Sequence, residues 1–359
     1  MMLHVFSWFT RGVFLTNRKL GVLLLLVLGI MLVVGYSFTN SRESLVLATT
    51  VKFDGTATAL AVSTDGEYLA ATNGRHVVVY DLKSLRPIFT RRGDSESFIS
   101  SDLCWALDSK FLFFGVGGEI HSLKIDNLSE KIASVANYDK LTSIRMIDNN
   151  TIITAGVMVG DFNLVGQIGT WQWNETLRKA ILLEYFPHRA ANAECVDVSY
   201  PRHESPQQVV ATFDNGAPLL INVSDDKARR LNLNSLIATP VSQEACFSSD
   251  GKYCFFRSRG HLLCFEANSI SKIRWDVELA RLTLHPLSTS RDRNRSMSTS
   301  PSGILALGLD DRLLLFHHDG RLFSSVGKLS AGTTFSPNGE VLYVAHKNCI
   351  IGYRMPISR

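Results

Sequence analysis

Residues 57–90 read ATALAVSTDGEYLAATNGRHVVVYDLKSLRPIFT. An apolar run to Val62 is followed by the turn Ser63-Thr64-Asp65-Gly66, a second run, the turn Asn73-Gly74, a third run ending at Tyr80-Asp81, and a fourth around Pro87–Thr90. Asp and Asn hydrogen-bond their own backbone and Gly supplies a positive φ, so this alternation predicts four strands, a to d, joined by tight turns into one meandering sheet.

The unit returns along the chain. Glu244-Ala245-Cys246-Phe247-Ser248-Ser249-Asp250-Gly251-Lys252-Tyr253 and Thr333-Thr334-Phe335-Ser336-Pro337-Asn338-Gly339-Glu340 repeat the first strand and its turn. Weaker copies centre on Asp108-Ser109, Asp148-Asn149-Asn150, Glu204-Ser205-Pro206 and Pro301-Ser302-Gly303. Seven turns result, and the 315 residues from 45 to 359 divide into seven units of 45. Units three, four and six carry insertions.

These units resemble WD40 repeats, which run to about 40–45 residues. Tyr80-Asp81 stands where that family has the Trp-Asp pair that ends strand c; Ile125-Asp126, Phe265-Glu266 and Tyr353-Arg354 are more distant equivalents. The resemblance covers the chain from about Ser44 onward and implies an all-β fold, a seven-bladed WD40-like β-propeller. The family's Gly-His pair is not regularly present, which puts its buried Asp-His-Ser-Trp network in doubt and leaves a quinoprotein-like or lactonase-like propeller open. The last unit, 331–355, supplies only strands a, b and c. The lone strand within Ser44–Phe53 is expected to supply the missing strand d and close the ring, removing two open edges.

Ahead of the propeller, Leu20–Phe38 is 19 residues without a charge. At 1.5 Å per residue it spans about 28 Å, the thickness of a bilayer's hydrocarbon core. Arg11, Arg18 and Lys19 precede it with no acidic residue, whereas Arg42 is followed by Glu43. The positive flank predicts an N-terminal segment 1–19 in the cytoplasm, a transmembrane signal-anchor helix at 20–38, a linker at 39–43, and a propeller on the extracytoplasmic side, in periplasm, lumen or exterior. A cleaved signal peptide is the competing reading, with a shorter apolar core as its hallmark.

A formal net charge of +4, with no long Lys/Arg run, argues against nucleic acid. The six cysteines form no CxxC pair, which argues against zinc-ribbon and thioredoxin-type sites. Cys246, Cys254 and Cys264 fall within one repeat and read as small buried hydrophobes, a disulfide among them being the minority reading. The chain contains no GxSxG, HExxH, P-loop or GxGxxG before a helix, and no catalytic, metal or cofactor site is assigned. His76, His121 and His261 share one repeat position, but on units one, two and five they are too far apart to share an ion, so they read as structural. His317-His318-Asp319 reads as a solvated turn, and Ser288–Ser300 as a mobile surface loop. The sequons at Asn127, Asn149, Asn174, Asn222 and Asn294 matter only in a glycosylating compartment.

The b–c and d–a connections share one face of a propeller. Arg75, His76, Arg91 and Arg92 of unit one, Arg257 and Arg259 of unit five, and His346 and Lys347 of unit seven make that face basic, interrupted by Asp310 and Asp311. This is the candidate partner-binding face, set against the a–b turns with Asp65, Glu67, Asp108, Asp148 and Asp250. The expected function is a membrane-tethered, non-enzymatic platform for protein partners. A propeller enzyme or small-molecule sensor would need a polar cluster at the central channel, and a subunit of a larger membrane complex is the third reading.

Overall fold

The computed structural model describes residues 45–93, 99–135, 138–159, 164–189, 193–198, 208–213, 216–222, 227–230, 242–258, 260–267, 269–282, 297–309, 312–327 and 332–356. The expected transmembrane segment Leu20–Phe38, the turn Glu204-Ser205-Pro206, Arg259, and Asp310 and Asp311 lie outside them. Among the described residues no helix is long and apolar enough to cross a membrane.

The described strands form seven four-stranded antiparallel sheets. The chain begins with β1 (Val46–Lys52), which joins the last sheet. Sheet I contains β2 (Ala59–Val62), β3 (Tyr68–Thr72), β4 (His76–Asp81) and β5 (Arg86–Arg92). Sheet II contains β6 (Ile99–Trp105), β7 (Phe111–Val116), β8 (Glu119–Lys124) and β9 (Ser129–Val135). Sheet III contains β10 (Lys140–Met146), β11 (Thr151–Val159), β12 (Leu164–Asn174) and β13 (Lys179–Arg189). Sheet IV contains β14 (Ala193–Val198), β15 (Gln208–Phe213), β16 (Gly216–Asn222) and β17 (Lys227–Arg230). Sheet V contains β18 (Ser242–Phe247), β19 (Tyr253–Ser258), β20 (His261–Glu266) and β21 (Ser269–Glu278). Sheet VI contains β22 (Met297–Thr299), β23 (Leu305–Gly308), β24 (Arg312–Phe316) and β25 (Leu322–Gly327). Sheet VII contains β26 (Thr333–Phe335), β27 (Val341–His346) and β28 (Cys349–Arg354), with β1 as its fourth strand in the order β1-β28-β27-β26.

The sheets pack face to face as a β-propeller. Their innermost strands adjoin in the order β2, β6, β10, β14, β18, β22, β26 and back to β2. Each neighbouring pair of sheets shares one apolar core: Phe113 of sheet II meets Trp171 and Trp173 of sheet III, and Phe255 of sheet V meets Phe316 of sheet VI. A middle strand therefore has both faces covered, and β4 reads as the continuous run Val77–Tyr80, wholly buried. The outer strand β5 has solvent on one side and is largely polar.

The repeated turn has a repeated chemistry. In sheet I the Tyr68 N–H donates to the Ser63 hydroxyl (2.9 Å) and the Glu67 N–H to Asp65 Oδ1 (3.0 Å). Ser248 and Asp250 do the same for Tyr253 and Lys252, and Ser336 and Asn338 for Val341 and Glu340. Gly66, Gly251 and Gly339 take φ of +77°, +65° and +73° there, the left-handed region where a side chain is disfavoured. In sheet II Ser109 fills the glycine position at φ +62°. Its hydroxyl accepts the Asp65 N–H (3.0 Å) and bonds the Thr64 hydroxyl (3.0 Å), joining the turns of neighbouring sheets.

One expectation is corrected. Ser288–Ser300 is not a loop throughout, because Met297–Thr299 is the innermost strand of sheet VI. Met297, the one apolar residue of that stretch, is buried. Its N–H donates to Glu244 Oε1 (2.7 Å), Ser298 bonds the Thr333 hydroxyl (3.0 Å), and Thr299 donates to the Phe247 carbonyl (2.8 Å). Polar side chains here serve sheet-to-sheet bonding, so polarity did not mark a loop. Among the described residues no disulfide forms, and Cys246, Cys254 and Cys264 are buried in sheet V, against the disulfide reading for that trio. Burial pushes the Cys264 thiol up to about 12.

Candidate functional site: a cleft at the seam of the first and last sheets

The chain closes on itself where β1 pairs antiparallel with β28, in the register Val51↔Ile350 and Lys52↔Cys349. Val51 and Phe53 are buried in the core that sheets VII and I share, with Val78 and Tyr80 across from them. The Tyr80 hydroxyl donates to the Lys52 carbonyl (2.7 Å). Asn73 Nδ2 donates to the Asp54 carbonyl (2.8 Å), and the Phe53 ring lies 5.0 Å from the His76 imidazole. Residues 50–54 are thereby held against sheet I from its b–c turn to the middle of strand c.

Outside these contacts a cleft of about 510 Å³ remains. Thr50, Val51, Lys52 and Asp54 form one wall. From β4 come His76, Val78 and Tyr80, and from the c–d turn and β5 come Leu85, Pro87, Thr90 and Arg92. The lining combines apolar Val51, Val78, Leu85 and Pro87 with charged Lys52, Asp54 and Arg92. Among the described residues neither Lys52 nor Arg92 makes an ion pair with a carboxylate. Burial holds the His76 imidazole below its ordinary pKa; Asp54 opposes that shift and Arg92 adds to it. Two basic side chains, Lys52 and Arg92, thus line the cleft against one acidic one, Asp54.

The eight residues of the expected basic face do not converge. His76 and Arg92 are opposite each other in the β4–β5 register and share the seam cleft. Arg75 is exposed on the adjoining β3–β4 turn, and His346 and Lys347 lie at the β27–β28 turn of neighbouring sheet VII. Arg91 is directed toward sheet II, where its Nε lies 3.5 Å from Glu130 Oε1. Arg257 is on β19 of sheet V, not adjacent to sheets VII or I, and Arg259 lies outside the described residues. Sequence reasoning missed Lys52, Asp54, Leu85, Pro87 and Thr90. The signal was present: a strand near residue 50 that completes the last sheet must face the first sheet across the seam.

The three equivalent histidines each have partners in their own sheets. His121 is buried between Glu130 (Nδ1, 2.6 Å) and Glu119 (Nε2, 3.0 Å), and His261 Nδ1 meets Asp276 (2.9 Å). The hydrogen bond from His121, with Arg91 adding to it, holds the Glu130 carboxyl below its ordinary value. Among the described residues no three His, Cys, Asp or Glu side chains gather as a metal site would require.

Asp102 and Glu244, the innermost-strand carboxylates whose side chains are described, are turned into the sheet-to-sheet contacts. Asp102 of β6 is 2% exposed. It accepts from the Ser143 hydroxyl (2.7 Å), the Ile144 N–H (3.0 Å) and Arg145 Nη1 (2.8 Å), all on β10. Glu244 of β18 receives Met297 of β22 in the same manner. The acidic a–b turns behave alike, with Asp108 accepting the Lys110 N–H (3.0 Å) and Asp148 the Asn150 N–H (2.7 Å).

No protein-family model and no curated protein matches the sequence. Solved structures do. The chain is similar to the β-propeller domain of Cps50 (Swd1) from Myceliophteria thermophila, with 11% identity, 87% of this chain and 100% of that one covered, and a TM-score of 0.62. It is similar to the WD40 repeats of RRP9, at 11% identity, the same coverage of each chain and a TM-score of 0.68. U3-55K matches at 10% identity over 87% of this chain and 98% of that one, with a TM-score of 0.66. The class defined by fold and strand order is thus the WD40-type β-propeller.

Proposed function

We propose that this protein is a seven-bladed, membrane-tethered platform that binds protein partners and catalyses no reaction. The observation that carries the reading is the use made of two inner-strand carboxylates, Asp102 and Glu244. Both are bonded into the neighbouring sheets. A propeller enzyme would instead need such groups converging at the channel with room for substrate. Likeness to WD40 propellers agrees with this, since that fold displays turns and strand edges around a rigid ring. Leu20–Phe38 would hold the ring at the bilayer and raise its local concentration there, with the N-terminus cytoplasmic and the ring on the other side.

Crosslinking on intact membranes followed by mass spectrometry tests the reading. Reproducible crosslinks from ring lysines to other membrane or extracytoplasmic proteins are expected. Crosslinks confined to the chain itself would overturn it. Protease added outside spheroplasts is expected to cut the ring; cutting only in cytoplasmic-side-out vesicles would overturn the orientation.

A further inference from the structure

The seam cleft is bounded by an open strand edge. In its sheet β1 has one neighbour, β28; on its other edge the Lys52 carbonyl is taken by the Tyr80 hydroxyl, and among the described residues the backbone of Val46–Thr50 makes no hydrogen bond to a second strand there. The strand is also unusually apolar for an edge: Val46 is 61% exposed and Leu47 62%. Exposed, apolar edges are templates for a further strand, and proteins ordinarily blunt them with charge or proline. At the other end of β1 the cleft supplies apolar surface from Val78, Leu85 and Pro87, and the cations Lys52 and Arg92. A lone small anion would use the cations and leave Val46 and Leu47 bare. A neutral strand would cover the edge and leave the cations unmatched.

We propose that this seam binds an extended acidic peptide segment, its backbone adding to the free edge of β1 and a carboxylate side chain meeting Lys52 and Arg92. The inference rests on the platform reading and names the chemistry of the partner. Backbone pairing supplies affinity, side-chain alternation sets register, and the paired cations select Glu or Asp at one position. Apolar residues flanking that acid would cover Val46 and Leu47 at one end and reach the apolar surface of the cleft at the other.

The test uses the full chain in nanodiscs and a fluorescent seven-residue peptide of alternating Glu and Val, followed by anisotropy. Saturable binding is expected, weakened about tenfold or more by Lys52→Glu with Arg92→Glu. Val46→Ser with Leu47→Ser, which removes the apolar edge and leaves the charge of the seam unchanged, is expected to weaken it as well. A Gln-Val peptide and an N-methylated Glu-Val peptide are both expected to bind more weakly. Equal binding by the charge-reversed variant, or by the Gln-Val peptide, overturns the cation site. Equal binding by the N-methylated peptide, or competition by free glutamate at the same concentration as the peptide, overturns the strand-edge mode. Should the free edge instead be covered by a second copy, the chain will run as a dimer and the peptide will not bind, which also overturns the proposal. Crosslinking partners that persist while the peptide fails leave the platform reading standing; a wild-type protein without partners fells that reading whatever the peptide does.

Discussion

The Tyr80 hydroxyl donates a 2.7 Å hydrogen bond to the carbonyl oxygen of Lys52, a strand at the start of the ring held by the residue that ends strand c of the first sheet. Tyr80 stands where the WD40 resemblance puts the Trp of the Trp-Asp pair. Here the aromatic fills the core between sheets VII and I and its polar tip latches β1.

Replacing Tyr80 by Phe keeps the ring and removes the latch. A loss of about 1 kcal/mol is expected, read as a lowered midpoint in urea unfolding. Burial pushes the Tyr80 pKa up to about 12, so the fold favours the neutral phenol. The stability this gives is complete below the ordinary value of 10 and is lost as pH rises toward 12. Tyr80→Phe is therefore expected to flatten the alkaline fall in stability between those limits. An unchanged alkaline profile would place the effect in other tyrosines.

Removing β1 is a larger perturbation. A chain starting at Thr56 loses the partner of β28 and the buried side chains of Val51 and Phe53. Roughly 3–6 kcal/mol of apolar burial goes with those two residues, and the exposed edge of β28 becomes a site for association. A chain starting at Thr39 should melt as the native protein does. Identical melts for both, with the shorter chain monomeric, would show that β1 does not latch the ring.

Asp102 tests the bonding between sheets II and III. Burial pushes its carboxyl up, against Arg145 and three hydrogen-bond donors that favour the ionised form. Asp102→Ala leaves Arg145 without that partner and is expected to cost about 3–5 kcal/mol. Adding Arg145→Met removes the second charge and should recover a good part of the loss. A double-mutant cycle on denaturant midpoints gives the coupling; strictly additive losses would refute the pairing.

Gly156 on β11 has no room for a side chain. A Cβ there would lie 2.6 Å from the Tyr138 ring and 2.8 Å from the Lys140 carbonyl. The Tyr138 hydroxyl bonds Thr154 Oγ1 (2.9 Å), which also accepts the Trp171 Nε1–H (2.8 Å), so the ring cannot yield without breaking that group. Gly156→Ala is expected to destabilise by about 1–3 kcal/mol and to change Trp171 fluorescence. Gly117→Ala, where a Cβ meets nothing within 4 Å, is a second arm: φ is +58°, so any loss there comes from backbone strain and not from crowding.

Local chemistry wrote much of the fold into the sequence. Ser63-x-Asp65-Gly66, Ser248-x-Asp250-Gly251 and Ser336-x-Asn338-Gly339 carry their own turn hydrogen bonds and their own positive φ, so each turn is specified by four adjacent residues. Buried runs such as Val77–Tyr80 follow from sheets covering both faces of a middle strand. The strand at Met297–Thr299 was illegible for the converse reason, because its polar side chains Ser298 and Thr299 bond partners 35 and 52 residues away. The basic residues were legible as types but not as a group. Arg91 and Arg92 are adjacent in sequence, yet successive strand residues point to opposite faces, and they part toward Glu130 and the seam cleft. What the sequence by itself determined is everything that depends on neighbours in the chain: turns, strand runs, the repeat, the apolar segment Leu20–Phe38. Only the tertiary structure decided which charges share a cavity: the missing fourth strand of the last unit pointed to the pairing of β1 with β28, but that Lys52 of β1 and Arg92 of β5 line one cleft follows from the packing of sheet VII against sheet I, which no local pattern encodes.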